Sequence, residues 1–289
     1  MIVGRFGVAA AALALLLLSH SSQAADDDAV KRGEYLYHAA DCVACHTDIK
    51  NQGKPLAGGR PMETPFGTYY GPNITFDPQH GIGKWTEAQF VSALRTGIGP
   101  DGTRYYPVFP FTSFTGMTDE DLKAIYAYLK AQPAVAQPSK PHEVHFPYNI
   151  RFSLVGWRLL FFSQGPIKPD PAKGAEWNRG NYLVNAVAHC GECHTPRNWM
   201  GAMDQSKAFA GVKNGPDGQS APNITPDPNK GIGKWTIEEI MDLLESGQTP
   251  EMDFVGSGMA EVVKGTAKLS AEDRRAMAVY LKSLKPIGG

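Results

Sequence analysis

The chain has 289 residues, including 31 Gly and 22 Pro, with 28 Lys+Arg against 29 Asp+Glu and a formal net charge of −1. That length exceeds one compact helical domain and suits two, and the share of turn-formers predicts loop-rich halves instead of plain bundles. The near balance of charge excludes a nucleic-acid footprint and an acidic tail.

Arg5 is followed by an apolar run from Phe6 to Leu18 and then by Ser19-His20-Ser21-Ser22-Gln23-Ala24. A basic start, a short apolar stretch and a small-residue end predict a secretory signal over 1–24, cleaved after Ala24. The 13 apolar residues fall short of the ~20 that span a bilayer. Arg5 is the only Lys, Arg, Asp or Glu removed, which leaves 27 basic and 29 acidic residues and a net charge of −2. Export places the chain in an oxidising compartment, where four cysteines would ordinarily suggest disulfides.

The spacing of those cysteines argues otherwise. A short helix carrying Tyr35-Leu36 leads into Cys42-Val43-Ala44-Cys45-His46, and one carrying Tyr182-Leu183 leads into Cys190-Gly191-Glu192-Cys193-His194. C-x-x-C-H is the attachment signature of c-type haem. Two thiols at this spacing reach one edge of the macrocycle, and the adjacent imidazole lies under the iron. A redox-active dithiol would want a thioredoxin-like βαβ pattern, which is absent. A four-thiolate zinc site would not need a His after each pair, and a C-x-x-C disulfide is a reactive arrangement, not a structural one.

The chain is a repeat. Arg32-Gly33-x-Tyr35-Leu36 returns as Arg179-Gly180-x-Tyr182-Leu183, and residues 72–87 match 222–237 at 12 of 16 positions. Duplication places one haem motif in each copy, over 26–132 and 176–285. After Trp85 and Trp235, Thr86-Glu87-Ala88-Gln89 and Thr236-Ile237-Glu238-Glu239 predict capping boxes. Phe90, Ala93 and Leu94, or Ile240, Leu243 and Leu244, then share a face that ends at Gly97 or Gly247. Thr118-Asp119-Glu120-Asp121 and Ser270-Ala271-Glu272-Asp273 predict boxes at the start of each last helix. These helices bury Leu122, Ile125, Tyr126 and Leu129, or Met277, Tyr280, Leu281 and Leu284. Strand patterns are scarce. The expected class is all-α: two tandem domains, each of a few short helices around one haem with long loops.

A Pro-rich linker over 133–175 joins the copies, and 152–162 within it is strongly apolar apart from Arg158. Two readings stay open for that segment: a docking or membrane-contact helix, or a helix packed against both domains.

The second axial ligand decides between carrier and catalyst, because His alone leaves iron open whereas Met closes it and raises its potential. The ligand is expected in the loop before each last helix. In the second copy that is Met259, 11 residues before Ser270 and just after Gly256-Ser257-Gly258. Met200, Met203 and Met252 read as surface or packing residues. In the first copy the equivalent count from Trp85 reaches Phe109, which cannot bind iron. Met117 is then the choice, with Met62, His142, His145 or an open site as alternatives.

The strings Pro72-Asn73-Ile74-Thr75 with Gly81-Ile82-Gly83-x-Trp85, Tyr106-Pro107-Val108-Phe109-Pro110-Phe111 and His189-Cys190-Gly191-Glu192-Cys193-His194-Thr195-Pro196-Arg197-Asn198 resemble bacterial dihaem c-type cytochromes. They are similar to the cytochrome subunits of periplasmic alcohol- and gluconate-type dehydrogenases, and the resemblance covers nearly the whole mature chain. Relatives often carry Met at the place of Phe109, while others have Phe there and Met at the place of Met117. Dehydrogenase-associated relatives often carry three haems, against two motifs here. The resemblance implies that Trp85, Trp235, Asn73 and Asn223 line the propionate side of each haem; plain packing and turn formation are the alternative.

The expected function is a one-electron relay in the periplasm, with a dehydrogenase as donor and a terminal oxidase or another cytochrome as acceptor, and with peripheral membrane association. No catalytic side chain is required of a carrier. The competing expectation is an oxidoreductase whose first haem is open and acts on thiosulfate or peroxide. A haem-based sensor is disfavoured because no signalling domain is attached.

Overall fold

The repeated Arg-Gly-x-Tyr-Leu string accounts for how each half closes. The computed structural model describes residues 26–215 and 218–288, so the expected leader over 1–24 lies outside the described residues. The string sits on α1, over 26–39, and on α7, Ala175–Tyr182, which continues as a π turn over Leu183–Val187. Each crosses the last helix of its own half, α5 at Asp119–Lys130 or α11 at Ala271–Lys282. The glycines permit the crossing: a Cβ on Gly33 would stand 1.9 Å from the Ala124 carbonyl oxygen, and one on Gly180 would stand 2.0 Å from that of Ala276. No side chain fits in such a gap.

The other helices of the first half are α2 (Cys42–His46), α3 (Glu87–Thr96) and α4 (Phe111–Phe114). Counterparts in the second half are α8 (Gly191–His194) and α9 (Ile237–Ser246), with α10 (Ser257–Thr266) preceding α11. Of these, α2, α3, α8 and α9 follow the sequence pattern, while α4 and α10 form where loops were expected. Both boxes before α3 and α9 are complete, and Gly97 and Gly247 end those helices in the left-handed region. Phe90 and Ala93, and Ile240 and Leu244, are buried as expected.

The boxes before α5 and α11 form only in part. Thr118 and Ser270 accept from the Asp121 and Asp273 amides at 3.2 Å, but the two carboxylates turn elsewhere. Asp121 accepts from Arg32 Nε at 2.5 Å, and Asp273 from Arg179 Nε at 2.8 Å. Across the halves, Tyr182 donates to Asp121 at 2.5 Å and accepts from the Thr118 amide at 3.1 Å. Tyr35 donates to Asp273 at 2.6 Å and accepts from the Ser270 amide at 3.0 Å. The exchange is reciprocal, as in the two-fold interface of a homodimer.

One apolar core serves both halves. Leu36, Met117, Leu122, Ile125 and Leu129 from the first half cluster with Leu183, Val184, Val187, Met277 and Leu281 from the second. The helices of the two halves thus bury apolar side chains against each other.

The all-α expectation needs a correction, because the structure also contains a small sheet. β1 (Pro61–Thr64) and β2 (Gly67–Tyr70) form an antiparallel hairpin, and β3 (Glu143–Val144) from the linker pairs with β2 through Gly67↔Val144 and Thr68↔Glu143. The linker is therefore an ordered strap. Its α6 (Ser153–Phe161) buries Leu154 against Tyr69 and Tyr106, and Trp157 against Phe111 and Ala202. Trp157 Nε1 donates to the Met200 carbonyl at 2.9 Å, so α6 touches both halves. Arg158 does not interrupt the apolar segment: its guanidinium lies over the rings of Phe111 and Phe162, at 5.3 and 4.7 Å, a cation–π arrangement. The opposite face of this strap leaves Phe152 and Leu159 82% exposed and Leu160 69% exposed.

Candidate haem sites

A left-handed residue turns the chain into each cysteine motif, Asp41 at φ 47° and His189 at φ 40°. The motif then coils into a single helical turn, which places both cysteines and the following His together. His46 Nδ1 lies 2.8 Å from the Pro72 carbonyl oxygen, and His194 Nδ1 lies 2.8 Å from that of Pro222. A carbonyl can only accept, so each ring proton sits on Nδ1 and Nε2 keeps its lone pair. An orienting bond of this kind is what fixes the tautomer of a metal-ligating imidazole. Burial lowers the pKa of both rings, which favours the neutral form a metal needs.

Glycines hold the acceptor strand in place. Gly58 and Gly211 donate their amides to the His46 and His194 carbonyls, both at 2.8 Å. Both have positive φ, and a Cβ on either would come within 2.6 Å of the backbone at Pro72-Asn73 or Pro222-Asn223. Thr47 and Thr195 brace the same loops, accepting from the Leu56 and Phe209 amides at 2.9 and 3.1 Å. Of these, Gly58, Gly211 and Thr47 lie outside the strings singled out from the sequence, and Thr195 was quoted only as part of one, with no role of its own.

The donor chemistry fits haem better than its rivals. Burial pushes the Cys42 and Cys190 thiols up to about 12, opposite to the depressed value of a redox-active dithiol. None of the four cysteines is disulfide-bonded. Among the described residues no group of three or more His, Cys, Asp or Glu is arranged to hold a metal ion. Two thiols, a neutral oriented imidazole and a thioether in the adjoining core are the donor set of a covalently attached haem.

Met117 is 0% exposed and belongs to the shared core, against which Phe109 also packs. The alternatives lie elsewhere. Met62 packs with Tyr69, Tyr106 and Leu154; His142 accepts from the Tyr70 amide at 3.2 Å beside the same rings; and His145 is exposed. Met259 lies in the first turn of α10, half-buried against the core. Met252 is 73% exposed, and Met200 packs beside Phe111 and Trp157. Met117 is thus the more enclosed of the two axial candidates, Met117 and Met259.

Trp85 and Trp235 are half-buried against the core. Asn73 and Asn223 serve the turns. Asn73 gives both amide hydrogens to backbone carbonyls, at Val135 (2.8 Å) and Gln137 (2.9 Å), and accepts from Thr75. No donor on Asn73 is left for a propionate. Asn223 donates to Ile287 at 2.7 Å and accepts from Thr225.

The sequence reading also passed over Glu192, inside the second motif and only 8% exposed. It accepts from Thr112 at 2.8 Å, from Ser113 at 2.9 Å, and from Arg197. Burial pushes its pKa up, but Arg197 and these bonds prevail and hold the carboxyl below its usual value.

The family model for cytochrome c matches residues 30–133. The chain is 43% identical to a diheme cytochrome c-type protein of Cereibacter sphaeroides, over 89% of this chain and 86% of that protein. It is 42% identical to the fructose dehydrogenase cytochrome subunit of Gluconobacter japonicus, covering 88% of this chain and 52% of that one. It is 40% identical to the cytochrome c subunit of the quinone alcohol dehydrogenase of Gluconacetobacter polyoxogenes, covering 96% and 61%. The chain thus spans between half and two thirds of those two dehydrogenase subunits. With the duplicated thiol and imidazole geometry, this similarity establishes that the chain belongs to the cytochrome c family, as a dihaem c-type cytochrome with two covalently bound haem c groups.

Proposed function

We propose that this protein is a periplasmic carrier that relays single electrons from a dehydrogenase to a terminal oxidase or another cytochrome. The observation that carries the reading is the duplicated imidazole, Nδ1 held at 2.8 Å by a proline carbonyl and Nε2 left to ligate. In this reading Cys42 and Cys45 bond one haem, and Cys190 and Cys193 the other. His46 and Met117 would ligate the first iron and His194 and Met259 the second, with Trp85 and Trp235 packed alongside. Haem iron closed by His and Met supplies one-electron chemistry at a raised potential. The chain's own residues orient the ligands and exclude water, with no acid, base or nucleophile engaged.

An open first haem acting on thiosulfate or peroxide has less support, because Met117 is fully enclosed in the shared core. A dehydrogenase donor is supported by the relatives named as dehydrogenase cytochrome subunits. Export rests on the pattern of residues 1–24. No described helix is long and apolar enough to cross a membrane, and the exposed Phe152, Leu159 and Leu160 support peripheral association instead.

The test is optical and kinetic. Met117→Ala and Met259→Ala should each remove the weak near-infrared Met–iron band of one ferric haem and leave it high-spin. A quinone-type dehydrogenase with its substrate should reduce both haems of the wild type, and oxidase-containing membranes should reoxidise them. Catalytic turnover of peroxide or thiosulfate by the wild type would sink the relay.

A further inference from the structure

The segment that ends in Met117 is held from three directions, and one of them is the other half of the molecule. Its own half contributes Arg95, only 13% exposed, whose guanidinium donates to the Thr115 carbonyl at 2.5 Å and the Met117 carbonyl at 2.7 Å. The strap contributes the Ile167 amide, which donates to the Gly116 carbonyl at 2.9 Å, and the Gly165 amide, which donates to the Thr115 hydroxyl at 3.0 Å. The second half contributes Glu192, whose carboxylate receives both the Thr112 and the Ser113 hydroxyls while Arg197 holds it from behind. Glu192 lies between Cys190 and Cys193, so the turn that attaches the second haem also grips the segment bearing the first haem's methionine.

The Met259 segment is held across the halves by a different device, Arg60 of the first half, which donates to Glu261 at 2.6 Å. The matching place in the first motif is Ala44, which has no polar side chain to offer the Met259 segment. A buried carboxylate carrying two neutral donors and one cation forms strong, directional bonds, and it needs those partners because it is removed from water. Simple packing would be served by an apolar residue at this position at lower desolvation cost.

We infer that Glu192 is a positioning residue for the first haem: through Thr112 and Ser113 it sets the placement of Met117, and so the firmness of the Met117–iron bond, from within the second haem's attachment turn. The inference rests on the assignment of Met117 as axial ligand, and the test separates the two.

The ferric holoprotein is studied in two backgrounds. With Met259→Ala, the surviving near-infrared band reports Met117; with Met117→Ala, it reports Met259. Imidazole is titrated against the band. In the Met259→Ala background, Glu192→Gln should tighten apparent imidazole binding by about tenfold or more, the order expected when hydrogen bonds to a charged group are lost. Thr112→Val with Ser113→Ala should do the same while leaving the Glu192–Arg197 pair in place, which covers a failure of Glu192→Gln to load haem. In the Met117→Ala background neither change should move the titration by more than about twofold, although Glu192 sits in the second motif. A general loosening would move both haems, and that result overturns the inference. So does an unchanged titration in the first background, and in that case loss of the band on adding Met117→Ala leaves the ligand assignment standing. A band that survives Met117→Ala together with Met259→Ala overturns both.

Discussion

Replacing Tyr182 by Phe removes one oxygen from the seam between the halves. That oxygen donates to Asp121 at 2.5 Å and accepts from the Thr118 amide at 3.1 Å. The Asp121 side chain is 1% exposed, so water cannot take the place of the phenol. A hydrogen bond to a carboxylate contributes about 1.5–3 kcal/mol and a neutral one about 0.5–1.5, which puts the cost of Tyr182→Phe at about 2–4 kcal/mol. Tyr35→Phe breaks the mirror-image bonds, but the Asp273 side chain is 13% exposed and keeps two bonds from Arg179, at 2.8 and 2.6 Å. Its cost should be about half as large. Guanidinium unfolding of the ferric holoprotein, followed by haem absorption and far-UV circular dichroism, measures both. The expected result is one transition, coincident by the two probes because the halves share a core, with a midpoint lowered more by Tyr182→Phe than by Tyr35→Phe at unchanged slope. Equal effects, or two separate transitions of which each variant moves only one, would refute the reasoning.

Gly33→Ala and Gly180→Ala must each push a helix pair apart, since the added Cβ would lie 1.9 or 2.0 Å from a backbone oxygen. Calorimetry should record a loss of about 1–3 kcal/mol or more for each, and unchanged melting would contradict the crossing geometry. Acid should weaken the protein through Asp273: burial raises its pKa, but the bonds from Arg179 and Tyr35 outweigh that and leave it below the usual value. Stability from such a group is complete above the unfolded pKa of about 4 and is lost as pH falls through the lower folded value. Asp273→Asn should therefore flatten the acid limb of a plot of unfolding midpoint against pH, and an unaltered limb would place the linkage elsewhere. Leu159→Ser with Leu160→Ser removes two side chains that are 82% and 69% exposed. Cosedimentation with anionic lipid vesicles should fall by about tenfold or more, and equal partitioning of variant and wild type would argue against membrane contact by this face.

The haem chemistry was legible from the chain because it is local. Cys42 to His46 and Cys190 to His194 fall within one helical turn, and no distant residue is needed to see which atoms can meet. The boxes before α3 and α9 were equally readable, since Thr86 with Gln89 and Thr236 with Glu239 interact only within their own turns. The boxes before α5 and α11 were readable only in part. Asp121 and Asp273 have the right spacing, but Arg32 with Tyr182, and Arg179 with Tyr35, compete for the same oxygens from far along the chain.

By itself the sequence determined the number of haem motifs, the duplication, the main helices and the short choice of methionines, all consequences of spacing and periodicity. Tertiary structure decided what depends on proximity between distant segments. It made the halves share one core, drew a strand and a bridging helix from the linker, turned Asn73 to the backbone, and buried Met117 more deeply than Met259. The physical reason is common to all four. A buried polar or apolar group takes whichever partner the fold brings within reach, and in a duplicated chain that partner is often supplied by the other copy.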